Sequence, residues 1–136
     1  MYRLLSLLIV VFALVGCGTP KPSAQEVAEQ IVTALDQGDM ATLNTLVDND
    51  MPMKNVAITI RRNSWKDTLS WVGPLLRMEV EEPQAAGAST IVVVHTYHER
   101  GETFTEITLH ETDEGWRALA WDYAKPDLHY TPTPER

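Results

Sequence analysis

His95, Glu106 and Asp122 are the residues whose types could share chemistry in this chain. An imidazole within hydrogen-bond reach of a carboxylate can relay a proton, orient a ligand or hold a metal ion. Each lies in one of three successive β-rich segments, Thr90 to His98, Thr103 to Glu111 and Trp116 to Tyr123, so strand register decides whether they meet. A two-residue turn at Arg100-Gly101 pairs Tyr97 with Phe104 and His95 with Glu106, giving a row His95, Glu106, Asp122. A three-residue turn over Glu99 to Gly101 shifts the parity and puts His95 beside Thr105 on the apolar face. In the next hairpin, a three-residue Asp-Glu-Gly loop with Gly115 left-handed pairs Thr112 with Trp116, Leu109 with Leu119 and Ile107 with Trp121. Read blandly, the same row is a wet sheet face whose cross-strand charge pair contributes under about 1 kcal/mol.

Other chemistries find less support. His95 and His98, three apart on a strand, point to opposite faces and cannot share an ion without a bulge. No metal set and no cofactor is therefore expected. No serine lies in a G-x-S-x-G turn and no glycine-rich phosphate loop exists, so no catalytic residue is assigned. Met51 and Met53, flanking Pro52, have soft-metal side chains but read as loop packing. Of the four tryptophans, Trp121 reads as core, while Trp71 is placed to line the mouth of a helix–sheet cone and touch a ligand.

The elements that must position these residues divide the chain in two. Ser23 and Glu26 have the spacing of a capping box, and Val27, Ile31 and Leu35 give the helix after it one apolar face, ended by Gly38. Asp39 caps a second short helix with Met40, Leu43, Leu46 and Val47 inward. Between Met53 and Val72 two periods compete. Val56, Ile58 and Ile60 alternate like a strand, yet Trp65, Leu69 and Val72 have helical spacing after a second capping-box pattern, Ser64 with Asp67. A helix over Ser64 to Val72 is expected, with helix favoured for Val56 to Arg62 as well. Gly73 and Pro74 stop it. Leu76, Met78 and Val80 then alternate with Arg77, Glu79 and Glu81 as a half-wet strand, Pro83 to Ser89 is a loop, and two hairpins follow. The sum is an α+β domain, with two or three N-terminal helices packed on a four-stranded antiparallel meander sheet.

Composition limits the partners. The 136 residues carry 11 basic and 19 acidic side chains and one cysteine, Cys17. That balance argues against nucleic acid and against electrostatic attraction to anionic lipid. No internal disulfide is possible.

Met1 to Arg3 start the chain with one positive charge, Leu4 to Leu14 are apolar except for Ser6, and small residues follow. These features describe a secretory signal too short to span a bilayer. The four residues Leu14-Val15-Gly16-Cys17 resemble the lipobox of bacterial lipoproteins. That resemblance implies a diacylglyceryl group on Cys17 and, after cleavage, a 120-residue mature chain of net charge −9. Two or three acyl chains hold such a protein durably to a membrane. With Gly18 rather than an aspartate after the cysteine, the resemblance favours the periplasmic face of the outer membrane in a host with two membranes. The resulting division is a signal peptide 1–16, a lipidated tether 17–22, a domain 23–125 and a disordered proline-containing tail 126–136. Three stretches, "AQEVAEQIVTALDQGDMATLNTLV", "WVGPLLRMEV" and "ETDEGWRALAWDY", resemble the small secreted members of the nuclear transport factor 2-like, or cystatin-like, superfamily. This implies a cone-shaped domain, whose relatives often pair sheet to sheet. The functional expectation is a lipid-anchored envelope protein, leaning away from enzyme activity, that binds a partner protein or small apolar ligand and could form a homodimer. Alternatives are an acid–base enzyme using His95 with Glu106 or Asp122, or a structural accessory of an envelope complex.

Overall fold

A computed structural model describes residues 20–123; the signal segment, Cys17 and the tail fall outside the described residues. Three helices, α1 (Ala24–Gln37), α2 (Met40–Leu46) and α3 (Lys54–Val72), precede five strands: β1 (Leu75–Val80), β2 (Gln84–Ala86), β3 (Ser89–His98), β4 (Gly101–Thr112) and β5 (Gly115–Tyr123). The sheet is antiparallel in the order β1-β3-β4-β5, and β2 pairs with β3 on the same side as β1. The expected α+β architecture and its four-strand meander are present.

The first helix forms as its sequence dictates. Ser23 Oγ accepts from the Glu26 amide at 3.2 Å, and the Glu26 carboxylate accepts from the Ser23 amide at 2.7 Å. Gly38 ends α1 at φ +68°, a conformation that costs a side-chain-bearing residue energy. Val27, Ile31, Val32 and Leu35 are buried against the sheet, each withdrawal from water contributing roughly 1.5–3 kcal/mol. In α2, Leu43 and Leu46 turn inward with Val47 just beyond, but Met40 stays 40% exposed at the first position.

Within the Met53–Val72 stretch, Lys54–Val72 is one continuous helix. Ser64 and Asp67 lie inside it rather than starting it: the Ser64 carbonyl accepts from Thr68 Oγ1 at 3.0 Å. The strand-like alternation of Val56, Ile58 and Ile60 dissolves in helical geometry. Ile58 is buried, and Val56 and Ile60, one turn apart, share the solvent face.

Two strand expectations need correction. A register shift between Leu75 and Arg77 turns Leu76 outward, 67% exposed, and leaves Leu75, Met78 and Val80 against the core. The Pro83–Ser89 loop contains β2, all three of whose residues are exposed, so no hydrophobic pattern marked it. At the α3–β1 corner, the tip of the β3–β4 hairpin docks on the chain. Arg100 N donates to Val72 O at 2.7 Å and Glu99 N to Pro74 O at 3.2 Å. Gly73 permits this approach: its φ is +83°, and a Cβ there would stand 3.1 Å from Glu99 Cβ.

Both hairpin registers depart from expectation near their turns. His98 pairs with Gly101 around a two-residue Glu99-Arg100 turn, one residue earlier than expected, so His95 pairs with Phe104 and Tyr97 with Glu102. A two-residue shift in pairing keeps the parity, and His95 stays on the face expected from the two-residue turn. In the second hairpin Thr112 pairs with Gly115 and Leu109 with Ala118. A bulge at Leu119 then restores Ile107 opposite Trp121 and Glu106 opposite Asp122.

Candidate functional site: the outer face of the sheet

Alternation along β3 and β4 separates two faces. Val92, Val94, Thr96 and His98 are buried beneath the helices with Thr103, Thr105, Ile107 and Leu109. Ile91, Val93, His95 and Tyr97, with Glu102, Phe104 and Glu106, face outward, where none of the described helices covers them.

On this open face the side chains are coupled. Arg77 donates to Glu79 at 2.6 Å and lies 3.7 Å from the Tyr97 ring centroid, a cation–π contact. The Tyr97 hydroxyl is 3.0 Å from Glu79 Oε2 and 3.0 Å from His95 Nδ1, and His95 Nε2 is 3.0 Å from Glu102 Oε2. Phe104 stacks on the His95 ring with centroids 4.1 Å apart. The Arg77 and Tyr97 hydrogen bonds hold the Glu79 carboxyl below its ordinary range. Burial and then the Glu79 carboxylate push the Tyr97 phenol up.

The expected row is therefore only partly assembled. His95, Glu106 and Asp122 share a face, and Glu106 does oppose Asp122, but His95 finds Glu102 instead of Glu106. Glu106 sits across from Val93. Asp122, at the sheet margin, bridges to Arg61 of α3 at 3.2 Å. Trp71 lines no cone mouth; it is 77% exposed near the end of α3. Among the described residues no three His, Cys, Asp or Glu side chains gather in a metal-binding group.

Two polar clusters escaped sequence reasoning. Under α3, His98 Nδ1 lies 3.0 Å from Gly73 O and Nε2 lies 3.0 Å from Thr96 Oγ1, itself 2.5 Å from Thr103 Oγ1. A carbonyl only accepts, so the neutral ring carries its proton on Nδ1 and accepts at Nε2. Thr105 Oγ1 and Trp121 Nε1, both buried in the sheet's inner layer, have no partner among the described residues. The only advance signal was threonine at inward positions of adjacent strands. Burial pushes the His98 pKa below 6.5. The unfolded chain then binds the extra proton first, so stability is full above about pH 6.5 and falls as the pH drops toward the lowered value. His98→Gln is expected to flatten that decline in urea melts between pH 7 and 5.

The second cluster is Asp48 with His110, whose Nε2 contacts Asp48 Oδ2 at 2.5 Å. They lie sixty-two positions apart in the chain, and the pairing of Val47 with Ala118, with Asp48 N donating to Ala118 O at 2.9 Å, brings them together. The His110 hydrogen bond and the Asp50 amide hold the Asp48 pKa below 3.8. Stability from this carboxylate is present above pH 3.8 and is lost as the pH falls through the lowered value. His110→Ala is expected to cost about 1–3 kcal/mol. It should raise the midpoint of acid unfolding followed by circular dichroism.

No family model matches the sequence, and no curated protein matches it. Solved structures do share its fold. A Campylobacter jejuni protein named as an NTF2-like transpeptidase matches with a TM-score of 0.60 at 15% identity, over 73% of this chain and 99% of its own. A Thiobacillus denitrificans protein named as a calcium/calmodulin-dependent protein kinase type II association domain matches with a TM-score of 0.53 at 12% identity, over 77% and 96%. The domain has the nuclear transport factor 2-like fold.

Proposed function

We propose that this chain is a lipid-anchored, non-enzymatic envelope protein whose domain captures a partner protein on the outer face of its sheet. The observation that carries this reading is the uncovered patch of Ile91, Val93, His95, Tyr97 and Phe104, fixed in place by the Arg77–Glu79–Tyr97–His95–Glu102 chain. Half-exposed aromatic rings with a preorganised polar rim are what interface hot spots are made of. The rim is acidic on balance, with Glu79, Glu102, Glu106 and Asp122 against Arg77 and the Arg61 that bridges Asp122, so the partner offers basic groups. Two copies meeting face to face would set these acids against each other, which favours another envelope protein over a homodimer. One protein of similar fold is named as an association domain, consistent with a scaffold used for assembly. The acid–base alternative loses its geometry, because His95 meets neither Glu106 nor Asp122 and stands on an open face.

Crosslinked recovery from envelopes, comparing native chain with His95→Ala, tests the reading. A discrete partner recovered several-fold less with the variant supports it; equal recovery, or none from the native chain, ends it. The anchor at Cys17 has a separate test. Cys17→Ser should abolish acyl labelling and leave the precursor uncut, whereas a processed, unlabelled native chain would be a plain secreted protein.

A further inference from the structure

Strand β1 leaves one edge of the sheet open. Glu81 N donates to Val93 O at 2.9 Å, and Glu79 and Arg77, in step with it, pair with His95 and Tyr97 of β3. Strand alternation then aims the N–H and C=O groups of Met78 and Val80 away from β3. Among the described residues no strand pairs with that side of β1. Leu76, near the start of this edge, is 67% exposed, and the side chains of Arg77 and Glu79 are 58% exposed. Edge strands are ordinarily guarded by a bulge and by charge. The bulge here is confined to Leu75–Arg77, and the two charges have opposite signs.

We propose that two copies of this chain pair antiparallel through their β1 edges, with Met78 opposite Met78 of the copy. Three two-fold registers bring the free edge groups of Met78 and Val80 against one another. Val80 opposite Val80 sets Glu79 across from Glu81, and Met78 opposite Val80 sets Glu79 across from Glu79. Like charges directly opposite are destabilising, so both registers are disfavoured. Met78 opposite Met78 instead sets Arg77 across from Glu79 of the copy and Glu79 across from its Arg77, two favourable pairs related by the two-fold. The same register lays the exposed Leu76 against Val80 of the copy. An extended peptide from another protein would have to reproduce this reciprocal pattern, which a second copy carries by identity. The two-fold axis stands perpendicular to the sheet, so the pair forms one continuous sheet, β5-β4-β3-β1-β1-β3-β4-β5. Both outer faces then lie on one side. The acids that oppose face-to-face pairing never meet, and both partner-binding patches stay open. Edge pairing depends neither on the anchor at Cys17 nor on the partner.

The test is disulfide crosslinking of the full chain in intact cells under a mild oxidant. Directly opposite residues of a hydrogen-bonded pair have Cα atoms about 5.5 Å apart, within the range of about 4.4–6.8 Å that a disulfide bridges. Met78→Cys should therefore give an adduct of twice the chain's mass that the native chain, with Cys17 alone, does not give. Val80→Cys should give at least tenfold less, because the two positions stand about 13 Å apart along the strands. Adding Arg77→Glu or Glu79→Arg to Met78→Cys should cut the adduct at least fivefold. Co-expressing those two chains under different tags should restore it as a mixed adduct, since every cross-strand pair is again of opposite sign. The half-buried Met78 need not be altered in a second measurement: purified Arg77→Glu and Glu79→Arg chains should each sediment as monomers and their equimolar mixture as dimers. A structural role for the Arg77–Glu79 pair within one chain would not be rescued by mixing. Equal adducts from Met78→Cys and Val80→Cys, an adduct indifferent to both charge changes, or a mixture that stays monomeric would each overturn the proposal.

Discussion

Trp65→Ala should remove about 3–5 kcal/mol of folding stability, the cost of deleting a large buried ring from a packed core. The ring is 0% exposed, its Nε1 donates to Asp36 Oδ1 of α1 at 3.1 Å, and it leans on His98 of β3 with centroids 5.6 Å apart. One side chain thus ties together all three layers that meet under α3. Domains of this size have roughly 5–15 kcal/mol to lose, so the variant will be partly unfolded near room temperature. Urea unfolding should show a midpoint lowered sharply with little change in slope. Trp65→Phe keeps much of the volume but strips Asp36 of a donor, at a cost of about 1–3 kcal/mol.

Phe104→Glu should abolish partner capture while leaving the fold almost untouched. Phe104 is 40% exposed, so it contributes little to the core, yet its ring stacks on His95 at the centre of the outer face. The substitution places a third carboxylate between Glu102 and Glu106 on the same strand face and removes the aromatic anchor. Truncating a hot-spot residue commonly costs 2 kcal/mol or more, about thirtyfold in affinity. The expected readout is loss of the crosslinked partner with a thermal midpoint within a few degrees of native, since exposed substitutions shift stability by about 0.5 kcal/mol.

Much of the scaffold was legible because its signals are local. Ser23, Glu26 and Gly38 delimit α1 through backbone groups within one turn of themselves, and the inward alternation of β3 and β4 follows from the pleat. What was illegible depends on contacts between distant residues. The β3–β4 turn sits at Glu99-Arg100 because the hairpin tip hydrogen-bonds the α3–β1 corner, a contact that nothing around residue 100 announces. The offset in the second hairpin is cancelled by a bulge at Leu119, so Ile107 still meets Trp121 even though the turn is one residue shorter than expected. For the candidate site this mattered directly. Parity was readable and put His95 on the right face, but the pairing was not, and the acid that reaches it is Glu102. The Asp48–His110 contact had no local trace, since its partners lie in a loop and a strand 62 residues apart.

Photocrosslinking from position 104 in intact envelopes puts the central claim at greatest risk. A photoreactive side chain replacing Phe104 should yield one discrete adduct, while the same group at the exposed Glu29 of α1 yields none. No adduct from position 104, or the same adducts from both positions, would contradict the assignment of the outer sheet face as the partner-binding surface.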